Sequence, residues 1–150
     1  MEIGSGDHLV FYLQLASCAV MTGVIWIVQL ILYPTFSLIE KDRFKQFHEM
    51  HSSRITLIVG PAMLIEMITA FLLLMHNRTA MAWWVNFGLI ILLWMSTAFL
   101  SVPIHNKLAD GFDLIKIKKL VLTNWPRTFL WTLRLVILIL FSEQLSAQSL

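Results

Sequence analysis

Four long apolar segments constrain the fold of this chain more than any other feature of its sequence. They cover about residues 9–33, 55–75, 80–102 and 126–145. Each is close to the roughly 20 residues that a helix needs to cross the hydrocarbon core of a bilayer. The chain is also 58% hydrophobic and only 13% charged, about half the charge of an average soluble domain. The sequence therefore predicts a single all-α membrane domain over residues 1–150, with four transmembrane helices packed as a bundle.

Prolines and amphipathic stretches separate these apolar segments. Pro34 and Pro103 follow the first and third segments, and we expect them to end those helices because proline cannot donate a backbone hydrogen bond. Ser37 and Glu40 then form a capping-box pattern that would begin a new helix. Residues 104–123 mix apolar and basic side chains in the same way. Both stretches are expected to form amphipathic helices that lie at the membrane interface or extend the following span.

The distribution of basic residues predicts the orientation in the membrane. Most lysines and arginines flank the two amphipathic linkers, whereas Arg78 lies in the short turn between the second and third segments. By the positive-inside rule the linkers are cytoplasmic and both termini lie outside a cell (inner) membrane. The acidic N-terminal residues argue against a cleavable signal peptide. Because topology accounts for the basic residues, no nucleic-acid partner is expected.

The two halves of the chain resemble each other. Each half has a charge-free segment, a proline and a basic linker, and its second segment begins with an arginine, Arg54 or Arg127. Internal repeats of this kind occur in many transporter folds. We therefore predict two repeated helical hairpins that pack around a pseudo-twofold axis.

Ionisable side chains within two of the segments indicate a polar interior. Asn124, Arg127, Trp131 and Arg134 recur at steps of three and four residues, which places them on one face of the fourth helix. Glu66 lies inside the second segment and is expected to face the bundle interior with them, because charges are costly in hydrocarbon. If Arg54 and Arg127 lie at the same depth, a rise of 1.5 Å per residue places Glu66 about 8 Å deeper than Arg134. We predict that these two pair, in a structural or a functional role.

A second polar group is predicted at the cytoplasmic mouth, from His48, His51, Arg54, His105, Asn106, Asn124 and Arg127. Three interpretations of His48 and His51 remain open. They are a solvated pair that caps the second helix, ligands of a metal ion or haem, or acid–base groups that serve a bound ligand. No cofactor is required by the sequence. A continuous helix would hold both histidines more than about 20 Å from Glu66, which disfavours one metal site that includes all three.

Two sets of motifs carry a family resemblance. One is Pro103-Ile104-His105-Asn106-Lys107-Leu108-Ala109 followed by Thr123-Asn124-Trp125-Pro126-Arg127-Thr128, and the other is Phe47-His48-x-x-His51-x-x-Arg54 leading to Pro61 and Glu66. Over nearly its whole length the chain resembles small bacterial four-helix membrane proteins, which are mostly uncharacterised. The late motifs more distantly resemble the anthrone oxygenase-like family. That resemblance implies cofactor-independent oxygenation of polycyclic aromatic phenols, with tryptophan and histidine as participants.

The sequence leaves two functions open. One is a redox or oxygenase-like enzyme, in which an apolar aromatic or quinone ligand enters from the lipid. His48 or His51 would then act as acid–base group or metal ligand, and Arg54, Asn124 and Arg127 would bind polar ligand atoms. The alternative is a non-catalytic subunit of a membrane complex or a small-solute carrier, in which the Glu66–Arg134 pair sets packing or lines a path. With either function, the protein is expected to self-associate or to join a larger membrane complex.

Overall fold

The computed structural model describes residues 7–148 of the backbone and residues 7–142 of the side chains. This part of the chain forms four long helices without any strand: α1 (Asp7–Leu38), α2 (Lys41–His76), α3 (Met81–Leu108) and α4 (Leu114–Gln148). All four are long and apolar enough to cross a membrane. The all-α class with four membrane-length helices is thereby confirmed. The acidic segment on which the signal-peptide prediction rests lies almost wholly outside the described residues.

The four helices pack as an antiparallel bundle in chain order. Each helix lies against the next one, and α4 closes the ring against α1. The helix pairs α1–α3 and α2–α4 therefore face each other across the bundle interior. Short connections enforce this order, since only Ile39 and Glu40 separate α1 from α2, and a turn over 77–80 separates α2 from α3.

The outward faces of all four helices carry large apolar side chains. Leu9, Leu30, Leu57, Phe99 and Phe129 are examples, each more than half exposed. A soluble protein of this size would not expose apolar surface on every side. The outer surface is therefore suited to hydrocarbon as its solvent, and many polar side chains turn inwards.

Pro34 and Pro103 do not end their helices, contrary to the prediction. In α1 a π-helical turn over Val28–Leu32 precedes Pro34, and in α3 a π-helical turn over Thr97–Ser101 precedes Pro103. Each π-turn ends two residues before its proline. The wider turn shifts the hydrogen-bond register at the point where the proline ring would otherwise collide with the preceding turn. Both helices consequently continue towards the cytoplasmic mouth that the sequence predicts.

The two amphipathic stretches are extensions of the spans and not separate interfacial helices. The first is the opening of α2, which runs unbroken from Lys41 to His76. The predicted capping box at Ser37 is wrong, because Glu40 is the N-cap residue and the Ser37 hydroxyl donates to the carbonyl of Pro34 at 2.7 Å. A continuous helix satisfies its backbone groups internally as it leaves the membrane.

Asp113 starts α4. Its carboxylate accepts hydrogen bonds from the backbone N–H groups of Ile115 and Lys116 at 3.0 and 3.1 Å. These bonds satisfy donors that the first turn of a helix leaves free. Donation from the backbone and the ammonium group of Lys116 holds the pKa of Asp113 below its ordinary value. The boundary of α4 is therefore fixed by local capping.

An aromatic cluster joins the diagonal pair α1–α3 at the end of the bundle that carries the α2–α3 turn. Trp83 is fully buried, meets Phe11 edge to face with ring centroids 6.3 Å apart, and stacks on Phe141 at 5.9 Å. Its neighbour Trp84 is half exposed and faces outwards. Packing of this kind, and not the hydrophobic effect, holds helices together within lipid.

We expect Trp83→Ala to lower the free energy of unfolding by about 3 kcal/mol, because it leaves a cavity between three helices. Unfolding by a denaturing detergent, followed by circular dichroism, measures this loss. Trp84→Ala removes the same side chain from the outer face and is the matched control, with a much smaller effect expected. Equal losses in the two variants would contradict the packing role of Trp83.

Candidate functional site

A buried ion pair lies deep in the bundle. The Arg134 Nη1 atom of α4 contacts the Glu66 Oε2 atom of α2, and both side chains are almost completely buried. This is the pair that the sequence predicts from the depths of the two residues. Because α2 and α4 are diagonal, the contact spans the centre of the bundle.

Further polar groups complete this ion pair. Trp131 donates from Nε1 to both carboxylate oxygens of Glu66 at 3.3 Å. The Nε atom of Arg134 donates to the amide oxygen of Asn86 on α3, also at 3.3 Å. The carboxylate therefore receives donors from two residues of α4, and three helices meet at one charge pair. Such partners are what make a charge pair tolerable in hydrocarbon.

A hydrogen-bonded chain of three aromatic side chains lies nearer the predicted cytoplasmic face. The Tyr33 hydroxyl and His105 Nε2 are 3.0 Å apart, and His105 Nδ1 and His48 Nε2 are also 3.0 Å apart. The chain joins α1, α3 and α2 in that order. His48 Nδ1 is buried without a partner among the described residues. The three residues form what we call the Tyr–His–His chain.

His51 lies beside this chain without being part of it. Its ring stacks on that of His105 with centroids 6.2 Å apart, and the edge of Phe36 meets it at 5.0 Å. His48 stacks on Phe44 at 5.9 Å. Aromatic rings from α1 and α2 therefore hold both histidines in fixed orientations.

A cavity of about 280 Å³ ends at these rings. Most of its lining is apolar, and α1, α2 and α3 supply it: Met21, Val24, Ile25, Val28, Ile55, Val59, Met63, Trp94 and Val102. Polar side chains gather at one end, which we call the polar end: Tyr33, His51, Ser101, His105 and Arg127. An apolar cavity with a few convergent polar groups is typical of a small-molecule site.

The cavity opens between α2 and α3. Lining residues of both helices are exposed on the lipid-facing surface, namely Thr56 and Gly60 on one side and Trp94 and Val102 on the other. These helices pack closely over the first part of α3 but only weakly over Val102–Leu108. Gly60 widens the gap because it has no side chain. The cavity can therefore be reached sideways from the hydrocarbon.

Arg127 supplies the positive charge of the polar end. It is buried, its Nη1 atom donates to the Ser101 hydroxyl at 2.5 Å, and its guanidinium lies over the Trp131 ring at 5.6 Å. Tyr33 lines the same end of the cavity. The Nε atom of Arg127 has no partner in the described part of the chain. Arg127 therefore connects the polar end to the deeper ion pair through Trp131.

Three residues predicted at the mouth do not line the cavity. Arg54 and Asn106 are exposed, and Asn106 lines a shallow groove that shares Ile55, Thr56, Val102 and His105 with the cavity. Asn124 is buried but points to α1, where its Nδ2 donates to the side-chain oxygen of Gln29 at 2.8 Å. His48, His51, His105 and Arg127 are brought together as predicted. The polar site therefore includes fewer residues than the sequence predicted.

Four polar residues that were not predicted from the sequence lie inside the bundle. Tyr33 and Ser101 line the cavity, Gln29 bonds Asn124, and Asn86 bonds Arg134. All four lie in segments singled out for having no charge. An uncharged amide or hydroxyl within a span is itself a signal of an inward face, and counting formal charges alone ignores it.

Metal ligation by His48 and His51 remains a prediction. In the part of the chain that the structure describes, no group of three or more histidine, cysteine or acidic side chains is arranged to hold a metal ion. His48 Nε2 and His105 Nδ1 face each other at hydrogen-bond distance, so one proton occupies the space between these two nitrogens. Of the uses considered for these histidines, proton transfer fits this contact best.

Comparisons with known proteins identify no relative. No protein-family model, curated protein or solved structure matches the chain. The fold and site therefore define it by themselves, as a four-helix membrane bundle with a lipid-accessible cavity and a polar end.

We expect Arg134→Met alone to lower the free energy of unfolding by about 3 kcal/mol, because Glu66 then loses its charge partner. The double variant Glu66→Gln with Arg134→Met should lose much less, since neither charge of this pair is left without its partner and the amide can still accept from Trp131. Detergent unfolding of the four members of this cycle measures the coupling. Additive losses in the double variant would contradict a direct interaction.

Proposed function

We propose that this protein is a redox or oxygenase-like membrane enzyme that takes an apolar aromatic or quinone ligand from the lipid. The lipid-accessible cavity with its polar end is the observation that carries the proposal. Apolar walls suit a ligand dissolved in the bilayer, and the opening between α2 and α3 gives it a route. The tyrosine and histidine at the closed end supply groups that can exchange protons.

The size of the cavity limits the ligand. Its volume of about 280 Å³ lies near the lower end of the range for ligand sites, about 300–1,000 Å³. A molecule with a few fused rings fits this space, and a long tail could remain in the lipid at the opening. Trp94 and Met63 would contact the ring face, and Ser101 and Tyr33 would contact its polar atoms.

The Tyr–His–His chain can move a proton. A neutral imidazole has one donor and one acceptor nitrogen, so the chain has two proton arrangements. In one, Tyr33 donates to His105, which donates to His48. In the other, His48 donates to His105, which donates to Tyr33, and the tyrosine hydroxyl is free to face the cavity. Passing from the first arrangement to the second takes one proton from the cavity onto Tyr33 and releases one proton from His48 Nδ1, so that one proton crosses the chain.

Such a relay suits oxidation of a phenol or quinol. Dioxygen is the oxidant: it takes the electrons from the ring while the chain accepts the proton that leaves the ring hydroxyl. A quinol would give a quinone and hydrogen peroxide, whereas in the oxygenase version a ring methylene becomes a carbonyl and the second oxygen atom leaves as water. The positive charge of Arg127 would stabilise the phenolate formed on the way.

The membrane orientation and the repeat belong to the same proposal. With the basic ends of the helices in the cytoplasm, the polar end lies near the cytoplasmic face of the cell membrane and both termini lie outside. Two repeated hairpins are supported by the equal spacing of π-turn and proline in α1 and α3. Self-association or membership of a larger complex is proposed on the small size of the bundle alone.

Gly60→Leu should block ligand binding. The new side chain would project at the cavity opening, where the nearest atom to an added Cβ is Thr56 Cγ2 at 4.0 Å, so the helix itself is not strained. Binding of an anthrone or a short-chain quinone analogue to protein in lipid nanodiscs, read by tryptophan quenching, should fall about tenfold or more. Gly88→Leu, on an exposed position of α3 with open space around it, is the matched control. Unchanged binding in Gly60→Leu would remove this cavity as the site.

His105→Phe should separate binding from chemistry, since it keeps a ring in place but removes both links of the relay. We expect binding of the anthrone to persist while its oxidation, followed by oxygen uptake, slows about 100-fold or more. His76→Phe, which alters a histidine bonded to Asp7 at the other face, is the control. A wild-type protein that binds the ligand but turns over neither anthrone nor quinol would instead support the carrier or the non-catalytic subunit.

A further inference from the structure

The buried charges of the bundle do not balance. Arg134 is paired with Glu66, but none of the ion pairs in the described part of the chain includes Arg127. The other described acidic residues lie near helix ends: Asp7, Glu40, Asp42, Glu49, Asp110 and Asp113. Away from the helix ends, the described part of the interior therefore holds two guanidinium groups and one carboxylate.

The positive charge of Arg127 is permanent, because arginine keeps its guanidinium charge in proteins. Among the described residues its hydrogen-bond and ring partners, the Ser101 hydroxyl and the Trp131 ring, are neutral. These contacts reduce the free-energy cost of burying the charge. A buried arginine without a negatively charged partner is nevertheless unfavourable inside a membrane.

The uncompensated charge faces the cavity. Arg127 lines the polar end together with Ser101, Tyr33 and His51. Its Nε atom is buried and has no partner among the described residues. A guanidinium presents parallel N–H donors that match the two oxygens of a carboxylate, and hydroxyl groups beside it can donate to the same anion.

We infer that the ligand of this cavity is an amphipathic anion, with a carboxylate or phenolate oxygen on an apolar body. This inference rests on the proposed function, because it assigns the charge of the ligand in the same cavity. An entering anion would complete a second ion pair, parallel to the one between Glu66 and Arg134. An uncharged ligand would fill the apolar part of the cavity but leave Arg127 without a negatively charged partner.

Three naphthalene probes test the inference on a common apolar body. They are 2-naphthoate, which is a carboxylate, 2-naphthol, which ionises as the pH is raised, and 2-methoxynaphthalene, which stays neutral. Each is dialysed against the full-length protein in lipid nanodiscs. Discs with the Gly60→Leu variant measure partitioning into lipid, and this background is subtracted.

We expect 2-naphthoate to bind about tenfold or more tightly than 2-methoxynaphthalene. Arg127→Met should abolish this preference, whereas Arg127→Lys should keep part of it because the charge remains. Should Arg127→Met fail to fold, the wild-type comparison and the lysine variant still decide. If the affinity for 2-naphthol rises with pH to match that of 2-naphthoate, a phenolate is the natural class. If 2-naphthol binds more weakly than 2-naphthoate at every pH, a carboxylate is the natural class.

Equal binding of all three probes, lost in Gly60→Leu, would overturn the anion inference and leave the proposed function standing. Displacement of 2-naphthoate by chloride at equal concentration would also overturn it, because a small ion would then satisfy Arg127. No binding of any probe above the Gly60→Leu background would contradict the proposed function itself.

Discussion

The ion pair between Glu66 and Arg134 sets the geometry on which the rest of the bundle depends. It joins two diagonal helices that do not lie side by side, in a medium where neither charge could stay alone. By holding Arg134 inwards it fixes the rotation of α4 about its axis. Trp131 and Arg127 lie on the same face of that helix, so their inward direction follows from the same constraint.

The two buried arginines serve different purposes although they lie on one helical stripe. Arg134 has a carboxylate and an amide as partners and does not line the cavity, so its charge is paired within the described part of the chain although its Nη2 has no hydrogen-bond partner there. Arg127 has neutral partners and borders empty space. One charge specifies how the helices pack, and the other remains available to something that comes from outside. The cavity thus lies beside the buried arginine that has no charged partner among the described residues.

The deep ion pair and the proximity of the histidines were predictable from the sequence, because a polar or charged side chain in hydrocarbon has few favourable placements. Glu66 had one partner within reach, and the structure contains that pair. The same reasoning failed for Arg54, which lies where water is close enough to solvate a charge, so that burial is not required. It also passed over Tyr33, because an uncharged residue carries no such penalty. Helix rotation near the interface is set by packing, which the pattern of one chain does not reveal.

The π-turns before the two prolines have a consequence for the polar end. A π-turn holds one residue more than an α-turn, so everything beyond it is rotated by about 100° relative to an uninterrupted helix. Tyr33 and His105, which bond each other across the bundle, both lie just beyond such a turn. The contact between Tyr33 and His105 thus depends on one extra residue in each of two helical turns, and the polar end of the cavity is built from irregularities in otherwise regular helices.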